Sequence, residues 1–368
     1  MTSTPFDYSA ADFPHSPLLV FWELTRACDL ACQHCRACAQ PKGHPNELGT
    51  ELSLRLIDQI ATFPKPPMLI LTGGDPLKRP DLEALVVHAV GKKLHVALTP
   101  SATPLLTRST LHRLKEIGLS AIALSLDGAD AATHDRFRGM PGSYERTIDA
   151  LHDARRLGLH VQVNTTVSLD NLDQIDTLAD TLAPLGIATW SIFFLVPVGR
   201  GLMEKRLSPM QYEVTFSRLL YHSTHQPYRI KTTEAPHYRR FVSQVAPESS
   251  ARSVLSAPTN DGRGVMFVSH TGKIYPSGFL PKTCGTFPED SLVDVYQKSP
   301  LFVDLRDPTK LKGKCGFCSF KSVCGGSRAR AFAITRDPLA AEPDCAYVPP
   351  GYDVSRDTNA PVLNVLRN

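Results

Sequence analysis

The chain has 368 residues, of which 42% are hydrophobic, and is therefore long enough to bury a sizeable core and to form two domains. Its 40 basic and 36 acidic residues leave a net charge of only +4, which is spread along the sequence. This balance gives no case for a nucleic-acid-binding protein or a protein of the membrane surface, so we expect neither partner.

The amino-terminal ten residues lack the basic segment and following apolar run of a signal peptide. No apolar stretch is long enough to span a bilayer. Nine cysteines, gathered mainly in two groups, are then more consistent with metal binding in a reducing compartment than with disulfides. We therefore expect a cytoplasmic protein.

From residue 18 to about residue 197, apolar β-branched runs alternate with amphipathic segments. The first amphipathic segment carries Leu56, Ile57 and Ile60 at helical spacing, and the alternation as a whole predicts six strand–helix units. Such units form a parallel sheet, open or closed into a barrel, with a site at the carboxyl ends of its strands. The predicted strands cover 18–24, 68–72, 95–99, 121–126, 160–167 and 190–196. The predicted helices cover 52–63, 82–90, 108–117, 144–157 and 172–182. Glycines expected to end helices are Gly91, Gly118, Gly158 and Gly186.

The first cysteine group directly follows the first predicted strand. Cys28, Cys32 and Cys35 have the spacing C-x3-C-x2-C, which can bind three irons of a [4Fe–4S] cluster and leave the fourth iron open to a small molecule. Two alternatives stay open at this point: Cys32, Cys35 and Cys38 match the start of a ferredoxin run, and Cys38 could complete a zinc site with the other three.

Residues 206–260 differ in character from the alternating region and are predicted as a helical connector. A helix over 210–221 follows Ser208 and Pro209, which suit its cap and first position. We expect the histidines of this segment to lie on the surface or to line a substrate cavity, and its basic residues to form a solvated face in preference to a site for an anionic substrate. These residues are His222, His225, His237, Arg229, Lys231, Arg239 and Arg240.

A second unit is predicted from residue 261, where 265–268 and 273–276 form a β-hairpin. Cys315, Cys318 and Cys324 then have the spacing C-x2-C-x5-C, and Cys345 supplies a fourth thiol. Four thiolates make a closed ligand set for a [4Fe–4S] cluster, although a zinc site would use the same four.

Cys28-Asp29-Leu30-Ala31-Cys32-Gln33-His34-Cys35 after a strand resembles the cluster motif of the radical S-adenosylmethionine (SAM) superfamily. The resemblance implies a partial (β/α)6 barrel in the class α/β. It also implies that SAM binds the open iron through its amino and carboxylate groups. Reductive cleavage of SAM then yields a 5′-deoxyadenosyl radical that abstracts hydrogen from a substrate carbon.

The resemblance also implies which strand-end residues bind SAM. Gly73-Gly74-Asp75-Pro76 is similar to a Gly-Gly-Glu-Pro motif, with Asp75 in place of Glu. Thr99-Pro100-Ser101 departs from the family's Thr-Asn-Gly, which leaves contacts from that loop in question. Arg200, after the sixth strand, is expected to face the substrate. The implied cofactor-binding residues are Gly73, Gly74, Asp75, Ser125, Asp127, Arg138, Asn164 and Val196. A buried Asp127 is also expected to need a partner.

The second cysteine group resembles the SPASM/twitch extension of this superfamily. That extension can hold two auxiliary clusters, but Ser277 and Arg328 occupy positions where the second ligand set would have cysteines. We therefore expect one auxiliary [4Fe–4S] cluster on Cys315, Cys318, Cys324 and Cys345. Cys284 is left over: no catalytic residue is assigned, and Cys284 is the candidate, as a hydrogen donor, with a remnant ligand and an inert thiol as the alternatives. The predicted divisions are 1–17, 18–205, 206–260, 261–350 and 351–368, the last being a carboxyl-terminal tail.

Within the superfamily, 21–36, 72–78 and 267–280 look most similar to the haem-biosynthesis branch, which includes iron-coproporphyrin decarboxylases. The expected function is a radical SAM enzyme acting on a carboxylated metabolite or tetrapyrrole, with a flavodoxin or ferredoxin as electron donor. A peptide maturase and a non-catalytic iron–sulfur electron-transfer protein are the alternatives.

Overall fold

The computed structural model describes residues 8–246 and 258–356. Its main feature is one sheet of ten strands in the order β10-β9-β8-β1-β2-β3-β4-β5-β6-β7. Most of the predicted extension 1–17 is described, whereas most of the predicted tail 351–368 lies outside the described residues. The strands are β1 (Leu19–Glu23), β2 (Met68–Thr72), β3 (His95–Leu98), β4 (Ala121–Ser125), β5 (His160–Val167), β6 (Thr189–Phe194), β7 (Arg229–Thr233), β8 (Val265–Val268), β9 (Lys273–Tyr275) and β10 (Gly285–Thr286).

The six predicted strands are all present as β1–β6 and pair in parallel, each with the next. Helices between them cover one face, and their apolar stripes meet the strands in a single core that includes Trp22, Leu56, Val163 and Trp190. The helices are α1 (Thr50–Ile60), α2 (Leu82–Gly91), α3 (Arg108–Glu116), α4 (Ala131–Arg138), α5 (Ser143–Arg156), α6 (Ile175–Leu182), α7 (Pro209–His225), α8 (His237–Val245), α9 (Leu292–Lys298), α10 (Pro300–Arg306), α11 (Gly313–Phe317) and α12 (Arg328–Thr335).

The sheet extends beyond the six-strand unit on both sides. The segment predicted as a helical connector contributes β7, which runs parallel to β6. The predicted hairpin contributes β8, which pairs in parallel with β1, so the second unit continues the same sheet. The sequence contains little signal for β7, because only Ile230 of its five residues is apolar. A strand at the edge of a sheet with one open face requires few apolar residues.

Helix ends follow the sequence in most places. Gly118, Gly158 and Gly186 have positive φ, as expected for residues that end a helix. The expectation for Gly91 was wrong, because Gly91 is the last residue of α2 and Lys93 takes the left-handed conformation instead. Ser208 forms a capping box with Gln211 at the start of α7, as its position before Pro209 predicted.

The second unit is attached to the end of β6 through Arg330, a fully buried side chain on α12. Its guanidinium donates to the carbonyl oxygens of Phe194 and Leu195 and pairs with Glu342 and Asp344. Removing one member of such a buried network leaves a charge without compensation, so this contact fixes how the second unit lies against the barrel. In the described part of the chain, no helix is long and apolar enough to cross a membrane.

Candidate functional site

The first cysteine group lies on a closed loop at the carboxyl end of β1. Cys28 and Cys32 are buried and Cys35 is half-buried. Backbone hydrogen bonds join the two ends of the loop: the Cys28 amide donates to Gln40 O (2.7 Å), and the Gln40 amide donates to Arg26 O (3.0 Å). Three thiols are therefore held on one short segment at the edge of the sheet where the parallel strands end.

The glycine pair after β2 holds this loop from below. The Gly74 amide donates to Thr25 O (2.7 Å) and the Asp75 amide donates to Ala27 O (2.6 Å). A Cβ atom on Gly74 would stand 2.3 Å from the Ala27 oxygen, so only glycine permits this approach. The paired glycines thus serve close backbone packing against the cysteine loop, and the two amides following Gly73 are already used there.

Asp75 is fully buried and its carboxylate is used inside the protein. It accepts from Thr103 Oγ1 (2.9 Å), from the Leu77 amide (3.1 Å) and from the Ser101 amide (3.4 Å), while burial raises its pKa. Ser101 Oγ in turn lies 3.4 Å from Cys28 Sγ. The loop that departs from the family pattern therefore touches a candidate cluster ligand, and direct binding of SAM by Asp75 stays a prediction.

Arg138, at the end of α4, lies between a cysteine and a buried acid. Its Nη1 is 3.6 Å from Cys32 Sγ, and its Nη2 forms an ion pair with Asp127. Burial would raise the pKa of Asp127, but Arg138 and the histidines His34 and His134 lower it below its ordinary value. The expectation that a buried Asp127 needs a partner is confirmed.

The loop is also clamped from the end of β6, which sequence reasoning missed. Arg200 Nε donates to Cys32 O (2.7 Å), and Arg200 Nη1 donates to Ala39 O (3.1 Å). Gly199 has φ +57°, and a Cβ there would stand 2.4 Å from Arg36 O. Two guanidinium nitrogens of Arg200 thus bind the cysteine loop, and a contact of Arg200 with the substrate stays a prediction. The Gly199-Arg200-Gly201 triplet was the available signal for the loop contact.

The remaining predicted SAM contacts lie on neighbouring strand ends. Ser125 on β4 and Asn164 on β5 are register partners and so share a face of the sheet. Asn164 Oδ1 accepts from Gln162 on that same face (2.7 Å). Val196, two residues beyond β6, is buried, and its carbonyl oxygen accepts from the Val198 amide (2.8 Å).

The second cysteine group surrounds one pocket, which Cys315, Cys318, Cys324 and Cys345 line together. The Glu342 amide donates to Cys315 Sγ (3.2 Å), and Arg240 Nη2 lies 3.9 Å from Cys345 Sγ. The pocket also contains His237, contrary to the expectation of a surface or substrate-cavity residue. His222 is likewise buried, and it pairs with Asp176 on α6.

Within residues 8–246 and 258–356, no three His, Cys, Asp or Glu side chains form a group that could hold a single metal ion.

The residues that replace a second auxiliary ligand set have other tasks. Arg328 is fully buried and donates to the carbonyl oxygens of Pro338 and Ala340, and Ser277 is buried in a tight turn. Cys284 precedes β10 at the outermost edge of the sheet and packs partly against the hydrophobic core. Its Sγ donates to Lys282 O (3.5 Å), a placement that favours the inert thiol over a hydrogen donor.

Comparison with known proteins identifies the class that this fold and loop define. A family model described as the Radical SAM superfamily matches residues 22–182. The chain is 39% identical over 345 residues to an "AdoMet-dependent heme synthase" from Methanosarcina barkeri, covering 91% of this chain and 98% of that protein. It is 29% identical to an "Fe-coproporphyrin III synthase" from the same organism, covering 89% of this chain and 87% of that one. The chain therefore belongs to the radical SAM superfamily, in its haem-biosynthesis-related branch.

Other relatives show that the same fold serves peptides. The chain is 25% identical over 370 residues to a "PqqA peptide cyclase" from Granulibacter bethesdensis, covering 95% of this chain and 96% of that one. Streptococcus suis SuiB bound to S-adenosylmethionine superposes with a TM-score of 0.72 at 18% identity, covering 90% of this chain and 78% of that one. The protein is thus a radical SAM enzyme that uses a [4Fe–4S] cluster and SAM.

Unpartnered polar atoms around the cysteine loop fit these groups. Arg138 Nε, Arg200 Nη2 and His34 Nδ1 are buried without a hydrogen-bond partner among the described residues. Burial lowers the pKa of His34 to about 4, so its ring is neutral. Buried donors of this kind are costly unless a ligand satisfies them, and both an anionic cluster and the SAM carboxylate are acceptors.

Cysteine replacement separates the two sites. We expect replacing Cys28, Cys32 and Cys35 together with Ala to lower the bound iron from about eight to about four atoms and to abolish SAM cleavage, because each ligand group holds one cube. Replacing Cys315, Cys318, Cys324 and Cys345 should remove the other four irons. Iron and zinc analysis of the anaerobically purified proteins measures this.

Cys38→Ala and Cys284→Ser are the matched controls, and both should keep all the iron. Loss of about four irons from Cys38→Ala would support the ferredoxin-type alternative, and loss of one bound zinc ion would support the zinc alternative. Loss from Cys284→Ser would require a different auxiliary ligand set. SAM cleavage that survives the first triple replacement would contradict the assignment of the cysteine loop.

Proposed function

We propose that the protein modifies a tetrapyrrole, abstracting hydrogen from a carbon of one of its carboxylate-bearing side chains. The observation that carries this is the match of 39% identity to a heme synthase, which covers 91% of this chain and 98% of that protein. The two units that carry the candidate ligand groups share one continuous sheet, which supports a shared task for them.

The residues of the site divide into three roles. Cys28, Cys32 and Cys35 would hold the cluster, and Arg138 would bind the SAM carboxylate with the Nε that Asp127 leaves free. Ser125, Asn164 and the Val196 backbone would follow the nucleoside along the strand ends. Gly73, Gly74 and Asp75 would act mainly by fixing the loop. When bound and reduced, the cluster–SAM pair supplies a 5′-deoxyadenosyl radical.

The chemistry of a propionate explains why the reaction needs an electron acceptor in addition to the first cluster. Converting a propionate into a vinyl group removes one hydrogen atom, one carbon dioxide molecule and one electron. The radical takes the hydrogen atom, and an acceptor must take the electron. Cys315, Cys318, Cys324 and Cys345 are the residues of this chain that would hold such an acceptor.

Two further assignments complete the proposal. The first cluster needs a low-potential electron, which suits a flavodoxin or a ferredoxin as donor. Nine thiols in the described residues, none of them in a disulfide, suit a reducing cytoplasm. A peptide substrate is the second candidate. It is supported by the similarity to the peptide cyclase, which at 25% identity is lower than the 39% identity to the heme synthase.

The direct test is turnover of a tetrapyrrole. Anaerobic enzyme with dithionite, SAM and iron-coproporphyrin III should form 5′-deoxyadenosine and a product that has lost carbon dioxide and hydrogen, because the proposed reaction couples the two. Mass spectrometry of both products measures this. A PqqA-type peptide in place of the tetrapyrrole should stay unmodified.

The variant Cys32→Ala is the control, since it removes a ligand of the first cluster. A tetrapyrrole that returns unchanged while the peptide gains a crosslink would overturn the proposal in favour of the second candidate. SAM cleavage without modification of either compound would reject both substrate classes.

A further inference from the structure

Two basic residues of β7 lie on the face of the sheet that points away from the main core. Ile230 packs into the core, so Arg229 and Lys231, its neighbours along the strand, lie on the opposite face. Register extends this placement: Lys231 pairs with Ser191 on β6, and Ser191 pairs with Asn164 on β5. Lys231 therefore stands in the same transverse row as a predicted SAM contact.

These two cations have no acidic partner in the parts of the chain that the structure describes. The buried acids at the neighbouring strand ends are already paired, Glu23 with Arg36 and His270, and Asp127 with Arg138. The Lys231 side chain is accessible to water, yet burial and then Arg229 lower its pKa to about 8. Both cations are therefore available to an anionic ligand on this face of the sheet.

An aromatic pair stands one row further along the same face. Phe193 on β6 is the register partner of Thr233, two residues beyond Lys231, and Thr233 Oγ1 lies 3.1 Å from Ser191 Oγ. The ring of Phe193 meets that of Phe279 from the second unit, with centroids 6.3 Å apart. An apolar surface and unpaired cations thus adjoin, which suits a flat apolar ligand with carboxylates at its edge.

We propose that Lys231, assisted by Arg229, binds a carboxylate of the substrate while Phe193 and Phe279 contact its apolar ring. This subsite rests on the proposed function, and the carboxylate is the part of the substrate that it would bind. A charge-assisted hydrogen bond to a carboxylate is stronger than a neutral one, so the contact would contribute to both affinity and orientation.

Binding of iron-coproporphyrin III, followed by its Soret band under anaerobic conditions, tests the subsite. Lys231→Met should weaken binding about tenfold or more, because one charge-assisted contact is lost. Lys231→Arg should bind within a few-fold of the parent, because the charge is kept. The tetramethyl ester, which carries no charge, should bind the parent and Lys231→Met equally.

Lys92→Met, at the residue that directly follows α2, is the matched control and should bind as the parent does. The iron content of every variant should stay unchanged. Equal binding of the acid by the parent and Lys231→Met would overturn the subsite and leave the proposed function intact. A parent that binds neither acid nor ester would instead contradict the proposed function.

A separate observation concerns His237, which belongs to the pocket of the second cysteine group. Its side chain is fully buried and packs against Tyr212 and Phe216, with centroids 5.0 and 4.9 Å away. Neither ring nitrogen has a hydrogen-bond partner among the described residues. A neutral imidazole ring carries one N–H donor.

A buried donor without an acceptor is unfavourable. A cluster bound in this pocket would supply an acceptor for the His237 N–H. Backbone amides already donate to the thiols there, from Glu342 to Cys315 and from Gly326 to Cys324. Thiolate and sulfide atoms of a cluster accept hydrogen bonds, and such bonds favour the more negative, reduced state.

We infer that His237 is a positioning residue that donates a hydrogen bond to the auxiliary cluster or to one of its thiolates and thereby raises the reduction potential of that cluster. The inference rests on the proposed auxiliary cluster. It would make this cluster a better acceptor for the electron released from the substrate.

Redox titration followed by electron paramagnetic resonance tests this in protein lacking Cys28, Cys32 and Cys35, where only the auxiliary cluster remains. His237→Phe should keep about four irons and shift the midpoint potential to a more negative value. His237→Asn, which keeps a donor, should lie closer to the parent. His222→Phe, at another buried histidine, should leave the potential unchanged.

An unchanged potential in His237→Phe would overturn the hydrogen bond. Loss of the irons from both His237 variants would overturn it as well, because His237 would then be a ligand. Absence of iron from the parent background itself would contradict the auxiliary cluster, which keeps the two failures distinguishable.

Discussion

The structure depends on one constraint: groups from the ends of β2 and β6 hold the cysteine loop against the sheet. The Gly74 and Asp75 amides, which follow β2, donate to the carbonyl oxygens of Thr25 and Ala27. Arg200, which follows β6, donates to the carbonyl oxygen of Cys32 in the same loop. At Gly74 a single added carbon atom would clash with the loop. Three thiols on a fixed loop can present one open iron, whereas a mobile loop would not hold it in place.

The residues that could contact ligands extend from the cysteine loop across one face of the sheet. Asp127 and Arg138 lie beside Cys32, and the row through Asn164 and Ser191 leads to Lys231 at the far side. SAM at the loop and a carboxylated substrate at β7 would then face each other across the same surface. The second unit continues this surface, because β8 pairs with β1 and Arg330 binds the end of β6.

The sequence predicted the parts of the molecule that local spacing determines. The positions of β1–β6 and both cysteine groups follow from periodicity and motif, and the structure has them where expected. It could not predict contacts set by distant packing: Arg200 on the cysteine loop, or His237 in the auxiliary pocket. It also missed β7, because Ile230 alone signals burial there, and it separated the second unit because the pairing of β8 with β1 joins residues far apart in the chain.

The central claim is that the cluster on Cys28, Cys32 and Cys35 has one iron that SAM binds. The most direct measurement is the electron paramagnetic resonance spectrum of the dithionite-reduced protein, recorded with and without SAM, after Cys315, Cys318, Cys324 and Cys345 have been replaced to leave only this cluster. The account predicts that SAM changes the signal, because it adds ligands to the open iron. A reduced cluster whose signal is the same with and without SAM would contradict the account.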